Sequence, residues 1–423
     1  VNRQSALRVA LDGTPLLGRR TGIGRYTEHL LHALAERGDV TVAATAFTLR
    51  GRGQLTGAVP PGVRVRSLPV PARLLRSAWS RLEYPPVSLL AGRSDVFHGT
   101  NFVLPPTGRA GGVVTIHDLA YLTMPDVVDR TNQALRELVP RSIRRAAAIC
   151  TPTRAVADLI TDTYGPDLPP VIVTQLGVDP EWLEVEPPDD AERRHLRLPE
   201  SYFLFVGTRE PRKDLDTLLA AYAALRAERG PAGLPRLLLV GPDGWGPDQR
   251  PSPGVEIHGY ATGADLRMIV AGARALVMPS RDEGFGLPAL EGLAAGSAVI
   301  VSDVPAMVEV TGGQATVFPI GNVDALTAAL DRHVDQPSDD AADAPSVTPD
   351  ASGVSPGAPS VTPGTEFGTA GSPSGSADPP TGPAVAPTAS EESSRQCRRE
   401  YAAGWTWQRC ADQTMAAYRL ALR

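Results

Sequence analysis

Short apolar runs alternate with longer amphipathic stretches along most of this chain, and the alternation breaks off once and restarts. Arg8–Leu11, Val40–Phe47, Val63–Val65, Val96–His98, Val113–His117, Ile149–Thr151 and Val171–Thr174 read as strands. A helix is expected from about Tyr26 to Glu36. Strand and helix signals in alternation predict a parallel sheet with helices on both faces. Gly177–Pro199, with its Pro-Pro and Asp-Asp pairs, then interrupts the pattern. Tyr202–Val206, Arg236–Val240, Ala275–Met278 and Ala298–Val301 restart it, with helices near Asp214–Glu228, Ala264–Ala273 and Leu287–Ala295. A chain of 423 residues suits two cores rather than one. The expected fold is α/β, with two doubly wound, Rossmann-like domains and a cleft between them. Ligands in such sheets bind beyond the carboxyl ends of the strands.

The domains are expected at 1–180 and 201–334, joined by a linker at 181–200. From Asp335 to about Glu392 the chain is mostly Pro, Ser, Thr, Gly, Ala and Asp, with Phe367 its one aromatic residue and no Lys or Arg. Such a composition cannot bury enough apolar area to offset ordering. Residues 335–394 are therefore expected to form a disordered insertion. Residues 395–423 read as a terminal helix, with Trp405 and Trp407 as packing residues.

Chemistry concentrates in Pro279–Gly296, P-S-R-D-E-G-F-G-L-P-A-L-E-G-L-A-A-G. Gly284 and Gly286 leave the backbone bare where a ligand could approach. Pro288 has the fixed φ of a first helical turn. A helix N-terminus offers amides and partial positive charge to a phosphate. Glu283 precedes that helix and Glu291 lies inside it, and carboxylates accept hydrogen bonds from hydroxyls. Amides for phosphate and carboxylates for hydroxyls describe a nucleotide-sugar site. The one lysine of the whole chain, Lys213, stands in V-G-T-R-E-P-R-K-D-L, between an expected strand and an expected helix. A strand-to-helix turn is another place that favours an anion, and an ammonium is a compact point charge.

With EGFGLP ahead of its helix, the segment resembles the E-x7-E signature of retaining GT-B glycosyltransferases, family 4. The resemblance implies that Glu283 contacts a donor sugar and that Gly284, Phe285, Gly286 and Leu287 line its diphosphate. Glu291 would hold the ribose. Lys213 and an arginine would neutralise the departing diphosphate. Many relatives carry that arginine where this chain has Thr208, so Arg209 and Arg212 both stand as candidates. His117, in V-V-T-I-H-D-L, would face the donor sugar. Gly22 and Gly24 resemble the family's flexible glycine loop beside the diphosphate. The same family carries a C-terminal helix that crosses back to the first domain.

The arrangement L-D-G-T-P-L-L, G-I-G-R-Y, H-G-T-N-F, T-I-H-D-L and V-G-T-R-E-P-R-K is similar to bacterial α-mannosyltransferases of cell-surface polysaccharide synthesis. It implies GDP-mannose as donor, with UDP-glucose or another hexose donor next, and a glycan or lipid-linked acceptor. No cofactor and no metal are expected. A GT-B domain that binds sugar nucleotide or glycan without catalysis, or a GT-B epimerase or phosphorylase, is the alternative.

Other features narrow the class. The formal net charge of −6 argues against a nucleic-acid binder. Three cysteines without a C-x-x-C fit a reducing, cytoplasmic setting. No apolar stretch of signal-peptide length precedes Asp12, and no run approaches the ~20 apolar residues that span a bilayer. Asp214-Leu215-Asp216 spells D-x-D, yet it opens a helix beside cations, where acids are favoured by the dipole. His29 and His32 read as a solvent-facing pair. Between Asp39 and Glu83 there is no acid, while Arg50, Arg52, Arg64, Arg66, Arg73, Arg76 and Arg81 occur, with Leu74, Leu75 and Trp79 among the last. Two readings stand for this stretch: an ordinary solvated surface, or a face that docks peripherally on an anionic membrane.

Overall fold

A computed structural model describes residues 6–18, 20–48, 53–66, 70–125, 134–244, 252–335 and 389–423. The first sheet comprises β1 (Leu7–Asp12), β2 (Val40–Thr45), β3 (Arg64–Val65), β4 (Val96–Gly99), β5 (Gly111–Thr115), β6 (Ala148–Thr151) and β7 (Val171–Val173). Its order is β3-β2-β1-β4-β5-β6-β7, with every neighbouring pair parallel. The second sheet comprises β8 (Tyr202–Val206), β9 (Arg236–Val240), β10 (Val255–Gly259), β11 (Ala275–Met278), β12 (Val299–Ser302) and β13 (Thr316–Phe318). It is also parallel, in the order β10-β9-β8-β11-β12-β13. The helices used below are α1 (Gly22–Ala35), α2 (Ala72–Trp79), α3 (Arg154–Tyr164), α4 (Leu215–Arg229), α5 (Leu287–Ala294), α6 (Pro305–Thr311), α7 (Ala389–Ala403) and α8 (Trp407–Leu420).

The central strands form because they are apolar on both faces. Every residue of β11 and β12 is buried, as in a parallel sheet covered by helices above and below. In each sheet the strand order reverses once, between β1 and β4 and between β8 and β11. A crevice opens at such a reversal, at the carboxyl ends of the strands. The loops that follow β8 and β11 are the Arg209–Lys213 and Glu283 segments.

One terminal helix was expected, and two are present. Gly404 to Thr406 separates α7 from α8, and the Thr406 hydroxyl caps α8 by accepting the Arg409 N–H at 3.2 Å. α7 lies on α5 of the second domain, and α8 lies on α1, β6 and β7 of the first. Leu30 and Leu34, then Trp407 and Tyr418, then Trp405, Leu290 and Leu293 belong to one apolar cluster that runs through both domains. A buried polar chain fixes α8 further. Tyr418 bonds His98 Nδ1 at 2.9 Å, His98 Nε2 bonds Thr115 Oγ1 at 2.8 Å, and Tyr26 reaches the same hydroxyl at 2.9 Å. Burial, with His117 nearby, pushes His98 down to about 3. It is a neutral core histidine.

Of the expected 335–394 insertion, residues 336–388 lie outside the described residues, and 389–394 already belong to α7. Among the described residues no helix is long and apolar enough to cross a membrane.

Candidate active site

The turn after β8 is short and sharply folded. Pro211–Lys213 form a single 3-10 turn, and Asp214 follows in the left-handed region at φ 49°. This geometry points Arg212 and Lys213 at one carboxylate in the loop after β11. Lys213 Nζ contacts Glu283 Oε1, and Arg212 Nη1 sits 3.1 Å from Glu283 Oε2. Ser280 donates to Glu283 Oε1 at 2.8 Å. Arg212 also donates to the Asp282 carbonyl and to Glu210 Oε1, both at 2.8 Å. Burial alone would raise the Glu283 carboxyl; Lys213 and Arg212 overcome it and hold Glu283 at about 2. Burial works against the Arg212 charge too, and Glu283, Asp118 and Glu210 more than restore it.

The sign of the resulting pH effect follows from the depressed carboxyl. Glu283 contributes stability that is fully present above its unfolded value of 4.5 and is lost as pH falls toward about 2. The whole contribution is about 3 kcal/mol, of which about 2 kcal/mol is gone by about pH 3. Denaturant unfolding of wild type and Glu283→Gln should therefore show a stability gap near neutrality that narrows steadily below about pH 4.5. A gap that does not change with pH would contradict the ion-paired state of Glu283.

Arg209 takes a different course from Arg212. It pairs with the exposed Asp243 of the loop after β9, so the structure gathers Arg212 and Lys213 on Glu283 and turns Arg209 away from it. The D-x-D pattern is accounted for by local bonds. Asp214 accepts from Thr217 at 2.8 Å and from Arg281 at 3.0 Å ahead of α4, and Asp216 is exposed.

Gly286 caps α5 in the left-handed region at φ 82°, where a side chain would be strained. The Phe285 and Leu287 side chains are buried, Phe285 edge-on to Trp405 at 5.7 Å. Only the backbone of these two residues is suited to face a ligand. Gly284 is a correction to the sequence reading. Its bare face is taken by the first domain, for a Cβ there would lie 1.8 Å from the His117 carbonyl oxygen. The Thr153 hydroxyl donates to the Gly284 carbonyl at 3.1 Å, and Glu309 of α6 accepts the Arg154 and Ala155 N–H groups of α3 at 2.8 and 2.9 Å. The cleft is thus bridged beside the motif.

His117 lies two residues beyond the end of β5 rather than within the strand. Its Nε2 is 2.8 Å from the Thr100 carbonyl, which can only accept, so Nε2 carries the proton. Burial lowers its pKa, and the neutral ring keeps Nδ1 as an acceptor. Tyr26 and Phe102 hold the ring edge-on at 5.0 and 5.6 Å.

Gly22 and Gly24 were expected in a flexible loop, but both lie in the first turn of α1. A Cβ on Gly24 would meet the Pro15 carbonyl at 2.8 Å, so this glycine serves close packing, whereas the space around Gly22 is open. The next residue was missed. Arg25 reaches across the cleft and pairs with Glu291. Burial pushes Glu291 upward and Arg25 pulls against it, with burial the stronger. Asp179, in the linker region, lies 4.0 Å from Arg25, accepts the Trp407 indole N–H at 3.0 Å and sits 3.2 Å from His29 Nδ1. His29 stacks on Trp407 at 4.6 Å, so it is a packed residue and not the solvent-facing one expected. Asp282 was missed too. It accepts from Thr123 across the cleft at 2.8 Å, and its pKa is raised by burial. The sequence marks Arg25 only by its position after G-I-G, and nothing local marks Asp179.

Two family models match the chain. Residues 21–177 match the glycosyl transferase 4-like domain, and residues 200–336 match the glycosyl transferases group 1. The O-antigen chain mannosyltransferase B of Escherichia coli is 27% identical over 77% of this chain and 90% of its own length. The O-antigen chain mannosyltransferase RfbU of Salmonella typhimurium is 26% identical over 74% of this chain and 90% of its own. Among solved structures, sucrose-phosphate synthase from Thermosynechococcus elongatus superposes with a TM-score of 0.58 at 19% identity, covering 77% of this chain and 89% of that one. Two parallel Rossmann-like sheets, a crossing terminal helix and both domain matches lead to one assignment. The chain belongs to the group 1, 4-like glycosyl transferases and is a GT-B enzyme that moves a sugar.

Proposed function

We propose that the chain is a retaining mannosyltransferase that uses GDP-mannose and a glycan or lipid-linked acceptor. The observation that carries the mechanism is the convergence of Lys213 and Arg212 on Glu283, in the loop beside the α5 N-terminus. The bond from the anomeric carbon to the diphosphate oxygen breaks, and charge grows on that oxygen. Lys213 has three N–H donors and Glu283 engages one, so others can follow the departing diphosphate. The backbone of Phe285–Leu287 adds dipoles that need no rearrangement as charge develops. The acceptor hydroxyl attacks from the same face, and its proton passes to the diphosphate oxygen. Glu283 orients a donor sugar hydroxyl, Glu291 the ribose, and His117 Nδ1 accepts from another sugar hydroxyl. Arg209, on the same loop, is left to the nucleotide phosphates. These groups do the electrostatic work without a divalent metal. Mannose is favoured because both O-antigen relatives above carry that activity in their names.

Calorimetric titration with GDP-mannose, UDP-glucose and ADP-glucose, with chelator present, tests the donor. GDP-mannose should bind selectively, and the product of turnover should keep the α configuration by NMR. Selective binding of UDP-glucose would replace the donor assignment, and a metal requirement would remove the cation-only mechanism.

The arginine-rich stretch supplies the proposed surface for a lipid-linked acceptor, in altered form. Leu75 and Trp79 of α2 are buried and belong to the core. Leu74, Leu82, Tyr84 and Leu89 are instead exposed, at 65, 59, 64 and 58%. Glu83, in their midst, is neutralised by Arg145. Arg50 and Arg52 lie outside the described residues. Such a face docks on anionic lipid. Co-sedimentation with anionic vesicles, but not neutral ones, is expected, and Leu82→Ser with Leu89→Ser should abolish it. Equal recovery with both vesicle types would end the idea.

A further inference from the structure

Glu291 presents a physical problem. It is almost fully buried, at 2% exposure, and a buried carboxylate without a counter-charge is strongly destabilising. Its counter-charge comes from the other domain. Arg25 Nη2 lies on Glu291 Oε1, the same group that a ribose would need for its hydroxyls. A guanidinium and two hydroxyls compete for the same few lone pairs. A ribose that seats a hydroxyl on Oε1 takes the oxygen that Arg25 contacts, and Arg25 then gives up at least part of that contact.

The structure offers Arg25 a second seat. Asp179 Oδ2 is 4.0 Å from the same Nη2, while the other oxygen, Oδ1, is occupied by the Trp407 indole N–H at 3.0 Å and by His29 at 3.2 Å. Asp179 thus turns one oxygen to the crossing helix and the other toward Arg25. We propose that Arg25 is a displaceable counter-ion of Glu291, a positioning residue that passes to Asp179 when a nucleotide ribose occupies Glu291. This rests on the assignment of Glu291 to the ribose. The transfer keeps the guanidinium paired throughout. It also links ribose occupancy to the junction of the domains, because Asp179 directly precedes the short helix Pro180–Leu183 and its side chain holds Trp407 of α8. The net gain from the ribose hydroxyls is reduced by the Arg25 contact they displace.

The test compares the affinities of GDP and UDP with those of their 2′,3′-dideoxy analogues, by calorimetry on the full chain at one fixed pH. The ratio of each pair measures what the hydroxyls contribute and is insensitive to a general loss of structure. Arg25→Ala should raise the ratio about tenfold, since the hydroxyls no longer displace an ion-paired guanidinium. Asp179→Asn should lower it, because the second seat is lost, and Arg25→Lys should stay near wild type. An unchanged or smaller ratio in Arg25→Ala overturns the inference. A wild-type ratio near one that Glu291→Gln does not alter, or no nucleotide binding at all, overturns the ribose assignment and the inference with it.

Discussion

Lys213→Ala should lower turnover by about 100- to 1000-fold, the loss typical of removing one preorganised donor to a developing negative charge. The fold should survive. Glu283 would keep Arg212 at 3.1 Å and Ser280 at 2.8 Å, so its charge would not be left without partners. The side chain removed is buried beside Glu283, and the adjoining Asp214 remains tied to Thr217 and Arg281. The effect should fall on kcat more than on donor affinity, because the charge that Lys213 follows is largest as the diphosphate leaves. Lys213→Arg retains the charge but spreads it over a planar group, and should recover only part of the rate. Near-normal transfer by Lys213→Ala would remove Lys213 from the chemistry. The melting temperature of the variant separates lost catalysis from lost folding.

What the sequence made legible depended on how local the physics is. β8, β9 and β11 are found at the residues expected, since a run apolar on both faces leaves few other assignments. The edge strands β10 and β13 escaped notice. Val255–Gly259 mixes Glu256 and His258 with apolar residues, and β13 spans three residues. Each pairs on one side alone, so neither had to be apolar throughout. At the site, Glu283, Glu291 and Lys213 could be singled out because two glycines, a proline and an isolated lysine set them apart. The division between Arg209 and Arg212 could not be read. It depends on the 3-10 turn and the left-handed Asp214, which decide where each side chain points. The pairs Arg25–Glu291 and Trp407–Asp179 were beyond local reading, because each joins residues more than two hundred positions apart.

Gly284→Ala should lower turnover by about 100-fold while each domain remains folded, since misplacing a reacting centre by about 1 Å has that cost. The backbone at Gly284 is not in the left-handed region, so alanine meets no local penalty. The obstacle is the other domain. A Cβ would lie 1.8 Å from the His117 carbonyl oxygen, whereas real Cβ atoms essentially never approach within 3.0 Å of another heavy atom. The main chain on both sides is held, at Gly284 by the Thr153 hydroxyl and at His117 by the ring contact with Thr100. The methyl group can be accommodated only if the two loops part. Parting them stretches the Thr153–Gly284 hydrogen bond and moves His117 away from Glu283, Arg212 and Lys213. Donor affinity, set mainly within the second domain, should change less than turnover, and small-angle scattering should show a slightly larger radius of gyration. Wild-type turnover in Gly284→Ala would mean that the catalytic cleft is wider than the one seen here. In that case the close approach of His117 to the glutamate loop would belong to a resting arrangement, and His117 would lose its place beside the donor sugar.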